Sequence, residues 1–161
     1  MIAIDHAALP CFDVPATHRF YADVLGLPLV AAQRGPAEAW GAREFLLLAY
    51  RLRDGSVLDL FTFDGIRRPS PDGLPKDIRH LALTVASRGE VRALAKRLEQ
   101  ERVAFWTETH GADDVHVYVT DPGGIVLEIV AQEDSARQRE QDPVQANSVM
   151  ATWLTDHGAG P

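Results

Sequence analysis

The chain has 161 residues, 46% hydrophobic and 24% charged, with a formal net charge of −7. That length and balance suit one compact domain with its own core and exclude a generally disordered chain. With Arg67 and Arg68 as the nearest approach to a basic cluster, the acidic balance argues against a nucleic-acid partner. No run approaches the roughly 18 apolar residues of a membrane span, no basic-then-apolar leader pattern is present, and Cys11 has no second cysteine to pair with. A cytoplasmic setting is the expectation.

In chain order, "IDHAAL" at 4–9 reads as a strand, and "FDVPATHRFYADVLGL" as a helix capped by Asp13, started by Pro15 and stopped by Gly26. Strand-like runs follow at 27–34, 42–49 and 55–63. The stretch "FDGIRRPSPDGLPKD" then interrupts, its Pro69, Pro71 and Pro75 ruling out a continuous helix. "IRHLAL" at 78–83 opens a second set. A helix capped by Ser87 carries Val91, Leu94 and Leu98 at helical spacing, and strands follow at 103–108, 113–121 and 124–132, with Gly123 and Gly124 making the last turn. The polar segment "AQEDSARQREQD" should be exposed, as should His18 and His157. "PVQANSVMATWLTDH" could form a short helix whose Val149, Met150 and Trp153 pack on this chain or on a second copy.

The two sets repeat one another. "IDHAAL" matches "IRHLAL", and "VLDL" after the turn "DGS" matches "VLEI" after "PGG". The expected fold class is therefore α+β, with two βαβββ modules at 1–66 and 77–132 forming a single domain at 1–132, followed by an extension at 133–161. Each module carries a histidine in its first strand and a carboxylate in its last: His6 with Asp59, and His80 with Glu128.

Strand alternation divides each sheet into two faces. Leu81, Leu83 and Val85 oppose His80 and Ala82; Leu58 and Leu60 oppose Asp59, Phe61 and Phe63; Val115, Val117 and Val119 oppose His116 and Tyr118; Leu127 and Ile129 oppose Glu128. The aliphatic faces suit helix packing, and the mixed faces suit the lining of a cavity. Two imidazoles and two carboxylates converging there would suit a divalent ion, since the acids offset its charge. A lone strand histidine is more often structural, but matched pairs at duplicated positions favour the metal reading.

At "IDHAALPCFDVPATHRFYADVLGL", "SVLDLFTF", "IRHLALTV" and "VYVTDPGGIVLEI" the chain resembles the vicinal oxygen chelate superfamily, over about residues 2–132. That superfamily includes glyoxalase I, extradiol dioxygenases and bleomycin resistance proteins. The resemblance implies paired βαβββ sheets curled around one metal cavity, with His6, Asp59, His80 and Glu128 as ligands of one Ni, Zn, Mn, Co or Fe(II) ion. It also implies a small-molecule substrate and a homodimer. Asp59 departs from the glutamate usual at its position. A glyoxalase I-like lyase or isomerase would use Asp59 and Glu128 as the catalytic carboxylates, with Phe61, Phe63, His110, His116 and Tyr118 lining the substrate site. The arginine and asparagine that bind glutathione in that enzyme would fall on Pro10 and Phe63, so its own substrate is not expected. "HGADDVHVYVTDPGGIVLE" also approaches the extradiol dioxygenase signature, departing at Glu108, with His110 and Tyr118 beside an iron triad of His6, His80 and Glu128. A non-catalytic antibiotic-binding protein is the third class implied.

Overall fold

The computed structural model describes residues 4–38, 41–70, 73, 78–110, 114–138 and 143–157. Strand β1 (His6–Pro10) leads into helix α1 (Val14–His18). Its cap is Asp13, whose carboxylate accepts from the Ala16 N–H at 3.0 Å. The helix widens into a π-helical segment, Arg19–Val24, closed by the Leu25 N–H on the Phe20 carbonyl. Phe20, Tyr21 and Val24 are all buried. Gly26, at φ +74°, takes the left-handed turn that ends it.

Next come β2 (Leu29–Ala37), β3 (Arg43–Arg51) and β4 (Val57–Phe63). The second module supplies β5 (His80–Val85), α2 (Arg88–Gln100), β6 (Phe105–Thr109), β7 (Val115–Thr120) and β8 (Val126–Ala131), and the chain continues through α3 (Gln132–Gln138) and α4 (Pro143–His157). Ser87 caps α2 by accepting from the Glu90 N–H, while the Glu90 carboxylate reaches back to the Ala86 N–H at 3.0 Å.

The sheets have matching orders, β1-β4-β3-β2 and β5-β8-β7-β6. In each, the first and last strands of the module run parallel and the other neighbours antiparallel. This is the expected α+β pair of βαβββ modules, with the sheets not closed into a barrel. One core serves both: Leu48, Tyr50, Leu58 and Leu60 from the first sheet, Val117, Val119, Leu127 and Ile129 from the second, and Phe20, Tyr21, Val24, Val91 and Leu98 from the helical segments. Each large side chain buried there stabilises the fold by about 1.5–3 kcal/mol. The aliphatic faces are thus committed to the helices, leaving the opposite faces for other chemistry.

Side chains and one close approach bind the modules together. Tyr21 Oη donates to Asp121 Oδ2 at 2.8 Å, and Arg97 donates to the Val24 carbonyl at 3.2 Å. Arg68, exposed in the connection between the modules, clasps the β7–β8 turn: its guanidinium donates to the carbonyls of Gly123 (3.0 Å) and Pro122 and lies over the Phe12 ring at 4.9 Å. Gly123 is needed for contact as well as for a turn, since a Cβ there would lie 2.8 Å from the Pro10 carbonyl oxygen.

His18 is exposed, as expected, although a tertiary partner holds its ring, and one expectation of solvation, at Asp134, is corrected. His18 places Nδ1 2.8 Å from the Tyr50 hydroxyl. Asp134, in the segment expected to be exposed, is 1% exposed and held by the Arg88 guanidinium at 2.6–3.1 Å. No helix among the described residues is long and apolar enough to cross a membrane.

Candidate functional site

The repeated "HxA" strands pair with the repeated acid strands in the same register. His6 lies opposite Val57 and Ala8 opposite Asp59; His80 lies opposite Val126 and Ala82 opposite Glu128. In both modules the histidine and the acid therefore share a face, one diagonal step apart. In the second module the diagonal closes, with His80 Nε2 2.9 Å from Glu128 Oε2. In the first it does not: Asp59 has one methylene less, and His6 turns Nδ1 to Asp5 Oδ1 at 2.8 Å. The hydrogen bond to Asp5 chiefly raises the His6 pKa above its ordinary value, against a smaller desolvation effect, with the charges of Asp5 and Asp59 adding to the rise.

Strand β7 adds the rest of the second face. Tyr118 lies opposite Glu128 and donates its hydroxyl to Oε1 at 2.6 Å, while His116, two residues earlier, places Nδ1 2.5 Å from the same oxygen. His116 is 1% exposed, and its Nε2 lies 2.8 Å from Asp114 Oδ1, so each ring nitrogen meets a carboxylate. His110, just past β6, reaches Tyr118 Oη with Nε2 at 3.2 Å and stacks on the His116 ring at 4.2 Å. Trp106 covers the Tyr118 ring, stacked at 5.2 Å and 13°, and is pinned by its Nε1–H to Glu108.

These contacts set the electrostatics. Burial pushes the Glu128 carboxyl up, but hydrogen bonds from Tyr118 and His116 and the charges of His116 and His80 outweigh it, holding the pKa below the usual glutamate value. The Tyr118 hydroxyl is raised, first by burial and then by its bond to Glu128. A carboxylate kept ionised among imidazoles suits a cation ligand better than a general base.

The site residues expected from sequence divide into two groups. His80, His110, His116, Tyr118 and Glu128 form one connected network in the second module. His6, Asp59, Phe61 and Phe63 share the corresponding face of the first, where Phe63 lines a cleft of about 410 Å³ with Arg34, Phe45 and Asp64. Among the described residues, the group of three or more donors whose ligand atoms all lie within 4.8 Å of one another is His110, His116 and Glu128; it does not include His6, Asp59 or His80. His116 sits behind Glu128 rather than on an open surface. Sequence reasoning missed Asp114 and Trp106, although each has the alternation parity that places it on this face.

Duplicated βαβββ units, each offering an imidazole and a carboxylate on the face away from its helix, define a class of paired-module proteins. The profile of the Glyoxalase/Bleomycin resistance protein/Dioxygenase superfamily matches residues 3–129, and the chain belongs to that family. No curated protein matches the sequence. The fold is similar to that of a glyoxalase/dioxygenase from Nostoc punctiforme (TM-score 0.62, 22% identity, 80% of this chain and 90% of that one). It is also similar to lactoylglutathione lyase from Agrobacterium tumefaciens (0.58, 22%, 81% and 94%) and to the oxidase ChaP-H2 (0.58, 23%, 81% and 94%).

Proposed function

We propose that the chain is a divalent-metal-dependent enzyme acting on a small substrate with adjacent oxygen atoms, its ion held by His80 and Glu128 with His6 and Asp59 contributed from the first-module face. The donor set fits: a nearly buried, ionised carboxylate and imidazole nitrogens match the preferences of Fe(II), Zn, Ni, Co or Mn. When bound, the ion supplies Lewis-acid polarisation of the substrate oxygens.

One observation carries the choice of reaction, the connected path His110–Tyr118–Glu128–His80. It sets a partly exposed histidine beside the ligand pair, within reach of a substrate hydroxyl, where it can take and return a proton. Tyr118 orients that histidine, and Trp106 shields the tyrosine from water. This favours a catechol-type ring-cleaving dioxygenase, with dioxygen as co-substrate. The glyoxalase I-like isomerisation is the second reading, favoured by Asp59, which lies on the His6 face and could serve as a carbon-proton base.

Oxygen uptake by the Fe(II)-loaded protein with a panel of catechols distinguishes the two. The dioxygenase reading expects uptake that is lost in His110→Ala and kept in Asp59→Asn. Turnover of 2-oxoaldehyde thiol adducts, lost in Asp59→Asn and kept in His110→Ala, would establish isomerisation instead. Protein that binds no metal and turns over neither substrate class would belong to the binding proteins of the family.

The enzyme acts as a homodimer in this reading, supported by Val144, Val149, Met150, Trp153 and Leu154, which leave α4 with a large exposed apolar surface. Light scattering should give twice the chain mass, falling to one chain in Trp153→Glu.

A further inference from the structure

We propose a second cation position, built within module two alone from His110, His116 and Glu128 and separate from the position that uses His80. The ligand atoms of these three residues lie within 4.8 Å of one another. The Tyr118 hydroxyl, 2.6 Å from Glu128 Oε1 and 3.2 Å from His110 Nε2, adds a fourth donor. Glu128 faces two ways: Oε2 meets His80, and Oε1 meets His116 and Tyr118. Its carboxylate stands between two positions and can serve either or bridge them.

His116 supplies the argument for a cation. It is enclosed, with Asp114 at Nε2 (2.8 Å) and Glu128 at Nδ1 (2.5 Å). A neutral imidazole has one N–H to give. Donated to Asp114 from Nε2, it leaves the Nδ1 lone pair able to ligate an ion in place of the proton that Nδ1 shares with Glu128. A divalent ion at the three-donor cluster would displace that proton and take Nδ1 as ligand, with Asp114 orienting the ring through Nε2–H, the carboxylate–histidine–metal arrangement. Two imidazoles with carboxylate and phenol oxygens suit Zn, Co, Ni or Fe(II) and disfavour Ca or Mg. Tetrahedral bonds of about 2.0–2.1 Å set ligand atoms about 3.3 Å apart, so loading spreads the tightest contacts by under ~1 Å. His110, with its side chain 38% exposed at a strand end, has room to turn its ring edge-on to the ion.

The position stands independently of the proposed reaction, and one titration series separates them. Untagged, chelator-stripped protein is titrated with Zn(II) by calorimetry and with Co(II) by visible absorption, with circular dichroism confirming the fold of each variant. The triple variant His6→Ala, Asp59→Asn, His80→Ala should retain one equivalent with a four-coordinate Co(II) spectrum. Adding His110→Ala should abolish it, and adding Asp114→Asn should weaken it by about 10- to 100-fold. A triple variant that binds neither ion, or one whose affinity is unmoved by His110→Ala and Asp114→Asn, overturns the proposal. Wild type that binds a single equivalent, kept in the triple variant, overturns the His80-centred site and leaves this one standing.

Discussion

Tyr21 and Asp121, 100 residues apart, share a buried 2.8 Å hydrogen bond that ties the helical segment of module one to the last turn of module two. Asp121 also accepts from the Ile125 N–H through Oδ1. Tyr21→Phe keeps the ring and removes one donor from a buried carboxylate, an omission costing about 1–3 kcal/mol. The midpoint of urea unfolding should fall accordingly with an unchanged slope.

The three tyrosines, Tyr21, Tyr50 and Tyr118, all resist ionisation. Burial is the first cause for each, and Tyr50 is pushed up to about 12. A raised acid keeps its proton in the fold, so its contribution to stability is complete below the unfolded value of 10.0 and is lost as pH rises through the folded one. Little tyrosinate absorbance should therefore develop in native protein between pH 10 and 11, whereas the urea-unfolded chain should titrate there. Full tyrosinate signal at pH 10.5 in protein with native circular dichroism would contradict the buried arrangement.

Opposite outcomes are expected at two glycines. Alanine at Gly123 drives a methyl to 2.8 Å from the Pro10 carbonyl oxygen, backbone that cannot yield cheaply, and should cost about 1–3 kcal/mol. In the first turn of α2, Gly89→Ala meets only the Ser87 hydroxyl at 3.4 Å and should stabilise by about 0.5–1 kcal/mol. Thermal melting of the pair under one condition checks both signs.

Arg88→Ala should be among the costlier substitutions on this protein's periphery. It strands Asp134, 1% exposed, without its fork of donors, and removing one partner of a buried ion pair costs about 3–5 kcal/mol. Because α3 follows β8 directly, amide exchange should accelerate across 132–138 before it does in β8.

How far the sequence could be read is seen by comparing His80 with His6. The repeat gave the modules, and period-two alternation placed His80, Glu128, His116 and Tyr118 on one face, because strand alternation is a local property. What His6 bonds to was not legible, since it depends on side-chain reach: the shorter Asp59 leaves the ring to Asp5. Arg88 with Asp134 and Tyr21 with Asp121 were equally hidden. They join positions 46 and 100 residues apart, and no spacing rule connects them. Asp114 escaped because an acid at a strand entrance reads as solvated until the fold closes a histidine against it.

Among the described residues, each strand ladder closes inside its own module, and only side-chain ties and packed surfaces cross between the halves. A cut in the proline-rich connection would sever none of the ladder pairings. Fragments 1–66 and 77–161 should accordingly recognise one another when mixed, joining through Tyr21, Arg97 and the shared apolar layer, and two copies could trade halves by the same contacts. The chain behaves, in assembly terms, as a tethered heterodimer of near-twins, in which the tether sets local concentration and the interface sets the pairing.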